Sequence, residues 1–418
     1  MFMRRDPGPA ALLVHGPGPV GVRVGPGRNA VRYLGPAFVA AVAYVDPGNL
    51  ATNVTAGAEY GFTLLWVIVV ANLAAMLVQY LSGKLGLATG WSLAETCRER
   101  YPRWATLLLW VQAEFVVIMT DLAEVVGGAV ALNLLFGIPP TVGAVLTVGG
   151  MLVILAAQQR GRRPFEAVIA SMLGILVAAF AYQTLRAGIS AGEAAGGLVP
   201  RFAGTDSVLL SVGIVGATVM PHAIYLHSAL TQSLRPSPRR RRAAARATLT
   251  DVVLALAIAG SVNVAILLGA TSLSAAESLE EAHAGFGAVA GDTTALVFGI
   301  ALLTSSLAAS AVGVYSGQVV MQGFIRRSIP LWLRRTVSVL PALVILLLGV
   351  DPTTALVLSQ VALSFGVPFA IFPLLRFTGD RRLMGDDLVN RAGTRYAGYT
   401  VGTLIVALNV YLVAAVVV

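Results

Sequence analysis

The chain has 418 residues, 57% of them hydrophobic and only 12% charged, and its mean hydropathy is +0.80. A soluble globular chain carries about twice that charged fraction, so lipid is the natural solvent for most of this surface. The single Cys97 excludes an intrachain disulfide framework and a cysteine metal cluster, and four histidines are too few for a histidine-rich metal trap.

Residues 1–29 read as a disordered cytoplasmic tail, because Gly16-Pro17-Gly18-Pro19 and Gly25-Pro26-Gly27 cannot build a core. No apolar stretch of signal-peptide length stands beside a cleavage site there. From residue 30 to 418 the sequence predicts one all-α membrane domain, with apolar stretches of spanning length at 33–59, 62–83, 104–135, 141–157, 165–186, 207–233, 248–270, 292–325, 331–349, 355–376 and 396–417. A crossing needs roughly 20 residues. The fourth stretch is therefore marginal, and the first, third, sixth and eighth must tilt, break or project.

Loop charge tests this layout. With the N-terminus inside and sides alternating, 27 of the 29 basic residues fall in inside segments, and only Arg186 and Arg201 fall outside. Cytoplasmic loops are the ones that hold Lys and Arg. The run Arg239 to Arg242 is then a topology signal near anionic lipid, and its brevity and lack of aromatics argue against nucleic acid. An odd number of spans leaves the C-terminus outside. The Arg- and Ala-rich composition suits a GC-rich bacterial genome, which places the chain in a bacterial inner membrane.

Ionisable residues at membrane depth are costly and mark function. Asp46 lies in Ala43-Tyr44-Val45-Asp46-Pro47-Gly48-Asn49, inside the first apolar stretch. Pro47 removes a backbone donor, so the helix breaks there, and Asp46 and Asn49 flank the break with oxygens. The sixth stretch has a matching break, Gly216-Ala217-Thr218-Val219-Met220-Pro221-His222. Pro221 leaves the Ala217 carbonyl without its helical partner, and Met220 adds a thioether. Oxygen ligands alone suit Ca²⁺, Mg²⁺ or Mn²⁺, and a thioether shifts preference toward softer transition ions such as Mn²⁺ or Fe²⁺.

The breaks lie five helices apart with reversed parity, which predicts two inverted repeats, residues 31–187 and 207–377, and an extra helix at 396–417. In the third stretch, Glu114, Asp121 and Glu124 share one side of a helix as a polar stripe suited to relaying protons, or to pairing with Arg334 or Arg335. His222 follows the second break and is placed to take a proton from Asp46. His227 is five residues further on, so the two do not form the i, i+4 pair of a zinc site, and no His-Glu-x-x-His motif exists. No nucleophile–base pair suggests an enzyme. A sodium-coupled amino-acid carrier of the same architecture, or a channel, is the competing reading; neither needs a thioether ligand.

Asp46-Pro47-Gly48-Asn49 and Ala217-Thr218-Val219-Met220-Pro221-His222 closely resemble the NRAMP family of proton-coupled divalent-metal transporters. The likeness extends through Met119-Thr120-Asp121-Leu122-Ala123-Glu124 and Leu358-Ser359-Gln360-Val361, and covers nearly all of residues 31–418. It implies a LeuT-like fold with helices one and six unwound, and a transporter rather than an enzyme. The implied metal ligands are Asp46, Asn49, the Ala217 carbonyl and Met220, with Gln360 and the Ala43 carbonyl approaching in some states. The implied proton-pathway positions are Asp46, His222, Glu114, Asp121, Glu124, Arg334 and Arg335, and Asn263 matches a polar position near the substrate path; we group His227 with it as a gating residue. The implied cargo is Mn²⁺ and Fe²⁺ moved into the cytoplasm with protons, with Cd²⁺ and Co²⁺ as further candidates and no cofactor. A related Mg²⁺ branch lacks the methionine, and Met220 argues against it. The segment Ser310 to Gln318 departs from the family pattern, which often has more Thr and Gln there. The sequence sets no oligomeric state; a monomer is one option.

Overall fold

In the computed structural model, the described residues are 35–417 apart from 160–161, 190 and 274–275. The expected tail at 1–29 lies outside them. Among the described residues every regular element is helical: α1 (Pro36–Ala41), a 3₁₀ turn (Val42–Val45), α2 (Pro47–Tyr60), α3 (Leu65–Thr89), α4 (Leu93–Arg100), α5 (Arg103–Phe136), α6 (Pro140–Gln159), α7 (Arg162–Arg186), α8 (Ala191–Gly196), α9 (Thr205–Thr218), α10 (Pro221–Gln232), a 3₁₀ turn (Pro238–Arg240), α11 (Arg241–Ala270), α12 (Leu279–Ala290), α13 (Asp292–Ile325), α14 (Leu331–Leu347), α15 (Pro352–Thr378), α16 (Arg381–Leu388) and α17 (Ala392–Val417).

Each expected stretch coincides with a helix or a helix pair. Among the described residues, seven helical segments are long and apolar enough to cross a membrane, counting α9 with α10 as one, and Pro36–Val45, Pro140–Ile154 and Ala170–Arg186 are shorter apolar pieces. Large apolar side chains face outward along them, Leu185 at 83% and Val153 at 71% exposure among them, as lipid contact requires.

Of the four over-long stretches, the first and sixth break at their prolines. The third and eighth become the unbroken 34-residue helices α5 and α13, about 51 Å each at 1.5 Å per residue. α5 and α13 pack along each other, α9 lies on α15, α10 on α3, and α11 on both α3 and α2. The short helices α4, α8, α12 and α16 lie between the apolar stretches, where the hydropathy pattern shows only polar breaks. α4 starts with a capping box: Ser92 Oγ accepts from Glu95 N at 3.2 Å, and Glu95 Oε2 accepts from Ser92 N at 2.8 Å. α3 and α5 end on left-handed Gly90 and Gly137.

Small residues let the central helices approach to backbone contact. A Cβ on Gly216 of α9 would lie 2.0 Å from the Gln360 carbonyl oxygen of α15, and one on Gly127 of α5 would lie 2.2 Å from Pro47 Cβ. Pro368, inside α15, cannot donate to the Ser364 carbonyl. Asn409 of α17 replaces that donor, its Nδ2 reaching the carbonyl at 3.0 Å while its Oδ1 accepts from Ser364 Oγ at 2.8 Å. A backbone group freed in a membrane helix is thus satisfied by a neighbouring helix.

Gly216→Ala forces backbone apart and is expected to cost about 1–3 kcal/mol by overpacking. Gly149→Ala on α6, with nothing within 4 Å of the added carbon, is expected to be neutral or slightly stabilising. Thermal unfolding of the two variants in detergent, read by tryptophan fluorescence, separates them; equal midpoints contradict the packing assignment.

Candidate functional site

The first break is an N-cap. Asp46 ends the 3₁₀ turn in an extended conformation (φ −84°, ψ 169°), and Pro47 opens α2 with no N–H to satisfy. Asp46 Oδ1 accepts from the Asn49 backbone N at 2.7 Å and from Asn49 Nδ2 at 3.2 Å. Pro47 also occupies the position whose N–H would have closed on the Ala43 carbonyl. Ser305 of α13 donates to the buried Val45 carbonyl at 2.6 Å, and Thr52 hydroxyl to the Gly48 carbonyl at 3.0 Å.

The second break lies against the first. Val219 (φ −104°, ψ 58°) and Met220 (φ −64°, ψ 120°) leave helical geometry, and Pro221 opens α10. The Ala217 carbonyl, released by Pro221, accepts from Asn49 Nδ2 at 2.8 Å. One side chain therefore ties the two breaks together across 168 residues of sequence. Gln360 completes the cluster from α15: a Cβ on Gly48 would lie 1.8 Å from its Nε2, so only glycine admits it.

Every member is sealed from solvent. Asp46, Asn49, Ala217, Met220 and Gln360 are at most 1% exposed, and Ala43 is 3% exposed. Yet Asp46 Oδ2, Asn49 Oδ1 and Gln360 Oε1 are buried oxygens with no hydrogen-bond partner. Buried polar groups are nearly always paired, and each one left bare costs about 1–3 kcal/mol. Three acceptors in one cluster, one of them a carboxylate, form an environment that a cation would complete. Among the described residues no three His, Cys, Asp or Glu side chains gather as a metal site, because the donors here are one carboxylate, amides, a carbonyl and a thioether.

The expected proton-pathway residues divide. His222 sits directly after the second break, 1% exposed, with Nδ1 3.3 Å from Thr120 Oγ1 of α5 and Nε2 without a partner. Asp121, next to Thr120, lies within electrostatic reach of His222 and of Glu114. Glu114 instead pairs with Arg334 of α14, Oε2 to guanidinium at 2.6 Å, with the side chains 16% and 10% exposed. Arg334 also donates to the Gly317 carbonyl at 2.8 Å. Glu124, fully buried, turns to α13, where a Cβ on Gly313 would lie 2.4 Å from its Oε1. The stripe thus holds both a carboxylate within electrostatic reach of His222 and an ion pair. The side chain of Arg335 lies outside the described residues.

Asn263 and His227 belong to a second network on the other side of the first break. Asn263 Nδ2 donates to the Tyr44 carbonyl at 2.8 Å, and its Oδ1 accepts from Asn53 Nδ2 at 3.0 Å. The Tyr44 hydroxyl accepts from Gln79 Nε2 at 2.6 Å, and Gln79 Oε1 meets His227 Nδ1 at 2.9 Å. Tyr44, Asn53, Gln79, Thr120 and Ser305 bond to the first break or to the expected site residues, and Asp251 of α11 caps the start of α1; hydropathy and motif reading pass them over. A polar residue inside an apolar stretch was the available signal for Gln79, Asn53 and Asp251.

The family described as "Natural resistance-associated macrophage protein-like", Nramp, matches residues 37–415. The "Divalent metal cation transporter MntH" of Bacillus subtilis (strain 168) is 48% identical over 394 residues, covering 92% of each chain. The crystal structure of an Eremococcus coleocola manganese transporter, in complex with an aromatic bis-isothiourea substituted compound, superposes with a TM-score of 0.81 at 30% identity, covering 94% of this chain and 89% of that one. A nucleobase-cation-symport-1 family transporter, at 16% identity, TM-score 0.59 and 92% coverage of both chains, shares the fold alone. The fold is LeuT-like.

Removing one partner of a buried ion pair leaves the other uncompensated, at about 3–5 kcal/mol. Arg334→Ala is expected to destabilise at the low end of that range, because the pair keeps some exposure. The double variant Glu114→Gln/Arg334→Ala is expected to recover part of that loss, read as thermal midpoints in a double-mutant cycle with Glu114→Gln and Arg334→Ala. Additive losses would show that the two side chains are not coupled.

Proposed function

This chain belongs to the Nramp family, and on that premise we propose that it is a divalent metal cation transporter whose cargo is Mn²⁺. The observation that carries the reading is the set of bare buried oxygens, Asp46 Oδ2, Asn49 Oδ1 and Gln360 Oε1, at two touching helix breaks.

The donor chemistry supports the assignment. Asp46 supplies the only formal negative charge among these ligands, and Asn49, Gln360 and the Ala217 and Ala43 carbonyls supply neutral oxygens. A single charge with neutral oxygen partners holds a divalent ion firmly enough to select it and loosely enough to let it go. The Met220 sulfur favours Mn²⁺, Fe²⁺, Cd²⁺ and Co²⁺ over Ca²⁺ and Mg²⁺. Asn49 Nδ2 now holds the Ala217 carbonyl, so metal binding redirects this amide and lets the two half-helix pairs move relative to each other. That coupling supports alternating access. We assign the repeats to 31–187 and 207–377, with Asn263 and His227 in the gate between site and one face.

Protons accompany the metal in this reading. His222 with Thr120 and Asp121 receives the proton displaced from the Asp46 region, and the carboxylates Glu114 and Glu124 carry it onward, with Arg334 and Arg335 as fixed positive charges along the path. The arginine distribution supports an N-terminus in the cytoplasm and a C-terminus outside, and on that orientation transport with the proton gradient is inward.

In proteoliposomes with acid outside, Mn²⁺ uptake is expected to exceed that at symmetrical pH, and Asp46→Ala to reduce it to background. Absence of Mn²⁺ entry, or full activity in Asp46→Ala, refutes the assignment. Met220→Ala is expected to keep Mn²⁺ transport and to let Ca²⁺ compete about tenfold better, about 1.4 kcal/mol of lost discrimination. An unchanged Mn²⁺/Ca²⁺ preference removes the thioether from the selectivity mechanism.

A further inference from the structure

The half-helix that leads into the first break begins without a cap of its own. Gly35, at its N-cap, has no side chain and a φ of 122°, and Pro36 has no N–H. The cap comes from α11. Asp251, fully buried, accepts from Gly35 N through Oδ1 at 2.9 Å and from Ala37 N through Oδ2 at 2.8 Å. Both carboxylate oxygens are engaged by the start of a helix more than 200 residues away in sequence.

The same α11 grips the other end. Asn263 donates to the carbonyl of Tyr44, in the last turn before Asp46. Asp251 and Asn263 are 12 residues apart, about 18 Å along an α-helix. The segment Pro36–Val45, six α and four 3₁₀ residues, is about 17 Å long. Two side chains on one helix therefore match the two ends of the half-helix. The clamps are unequal. Asn263 makes a neutral amide–carbonyl bond, whereas Asp251 makes two charge-assisted bonds to N–H groups at the positive end of a helix.

We propose that Asp251 is the latch of this half-helix: a positioning residue that holds α1 on α11, and whose release opens the metal site on the side where α1 begins. The proposal rests on the alternating-access reading above, since only a moving half-helix needs a latch. Departure of α1 from α11 strips a buried carboxylate of both donors at once, so the latch favours the sealed arrangement seen here. Its removal shifts the balance toward the open one.

The test uses the full chain with Cys97→Ser and Ala41→Cys, purified in detergent. Ala41 is fully buried between the two clamps, so a thiol there reacts with a methanethiosulfonate reagent only when α1 lifts. Mn²⁺ affinity is measured by calorimetry on the same samples. Asp251→Ala is expected to raise the labelling rate about tenfold, and Asp251→Asn, which keeps an acceptor oxygen without the charge, about threefold. Unchanged labelling of folded protein in both variants overturns the latch, as does a fall in thermal midpoint with no change in labelling, the mark of a merely structural cap. If Asp251→Ala does not fold, Asp251→Asn decides alone, and unchanged labelling there overturns the proposal. Failure of the transport reading is separate: the parent chain would show no Mn²⁺ binding by calorimetry, whereas the latch is decided by the labelling rates alone.

Discussion

Backbone polar groups inside a membrane must find partners within the protein, and this fold is arranged around two places where they are denied the usual ones. Pro47 and Pro221 each delete the N–H that would have closed on a carbonyl four residues earlier. Carbonyls around the two breaks are met from other helices: Ser305 serves the Val45 carbonyl, Asn263 the Tyr44 carbonyl, and Asn49 the Ala217 carbonyl released by Pro221. The same solution appears at Pro368, where Asn409 serves Ser364. What distinguishes the central cluster is that its side-chain oxygens are not all used up in doing so. The scaffold meets these carbonyls and leaves Asp46, Asn49 and Gln360 each with an acceptor to spare.

The cluster keeps its shape because glycines remove everything that would hold the helices apart. Gly48 admits Gln360, Gly216 brings α9 onto the backbone of α15, and Gly127 lets α5 meet Pro47. Packing of this kind works by contact and not by water exclusion between helices, since lipid is as apolar as a leucine side chain. The result is a rigid surround of α5, α13, α11 and α15 holding four short half-helices. Rigidity and the bare oxygens belong together: a looser surround would let the amides turn to satisfy one another.

The breaks, their prolines and the acids of α5 were legible in the sequence because each violates a rule that lipid enforces strictly. A charge or a proline in an apolar stretch is visible without any neighbour. Asp251 violates the same rule and is equally visible, but its partner is not: the N–H groups of Gly35 and Ala37 carry no sequence signal, so its role depends on a contact between the first and seventh spans. Gln79 is similar, since its bonds to Tyr44 and His227 exist only once α3 lies beside α10. The division of the α5 stripe was also hidden. Spacing put Glu114, Asp121 and Glu124 on one side of a helix, but which of them meets Arg334 and which turns to α13 is decided by the helices opposite. The short helices between spans, such as α4 with its capping box, are too brief for hydropathy to register.

The stretch Ser310 to Gln318 of α13 contains Gly313 and Gly317, four residues apart. One hollow seats the Glu124 carboxylate and the other the Arg334 guanidinium. Side chains from two different helices thus plug into neighbouring sockets of a third. Such an arrangement keys α13 against both rotation and axial sliding, because either motion drives a filled socket onto helical backbone. On the transport reading proposed above, α13 is the stator of the assembly, the fixed bar against which the broken helices are displaced.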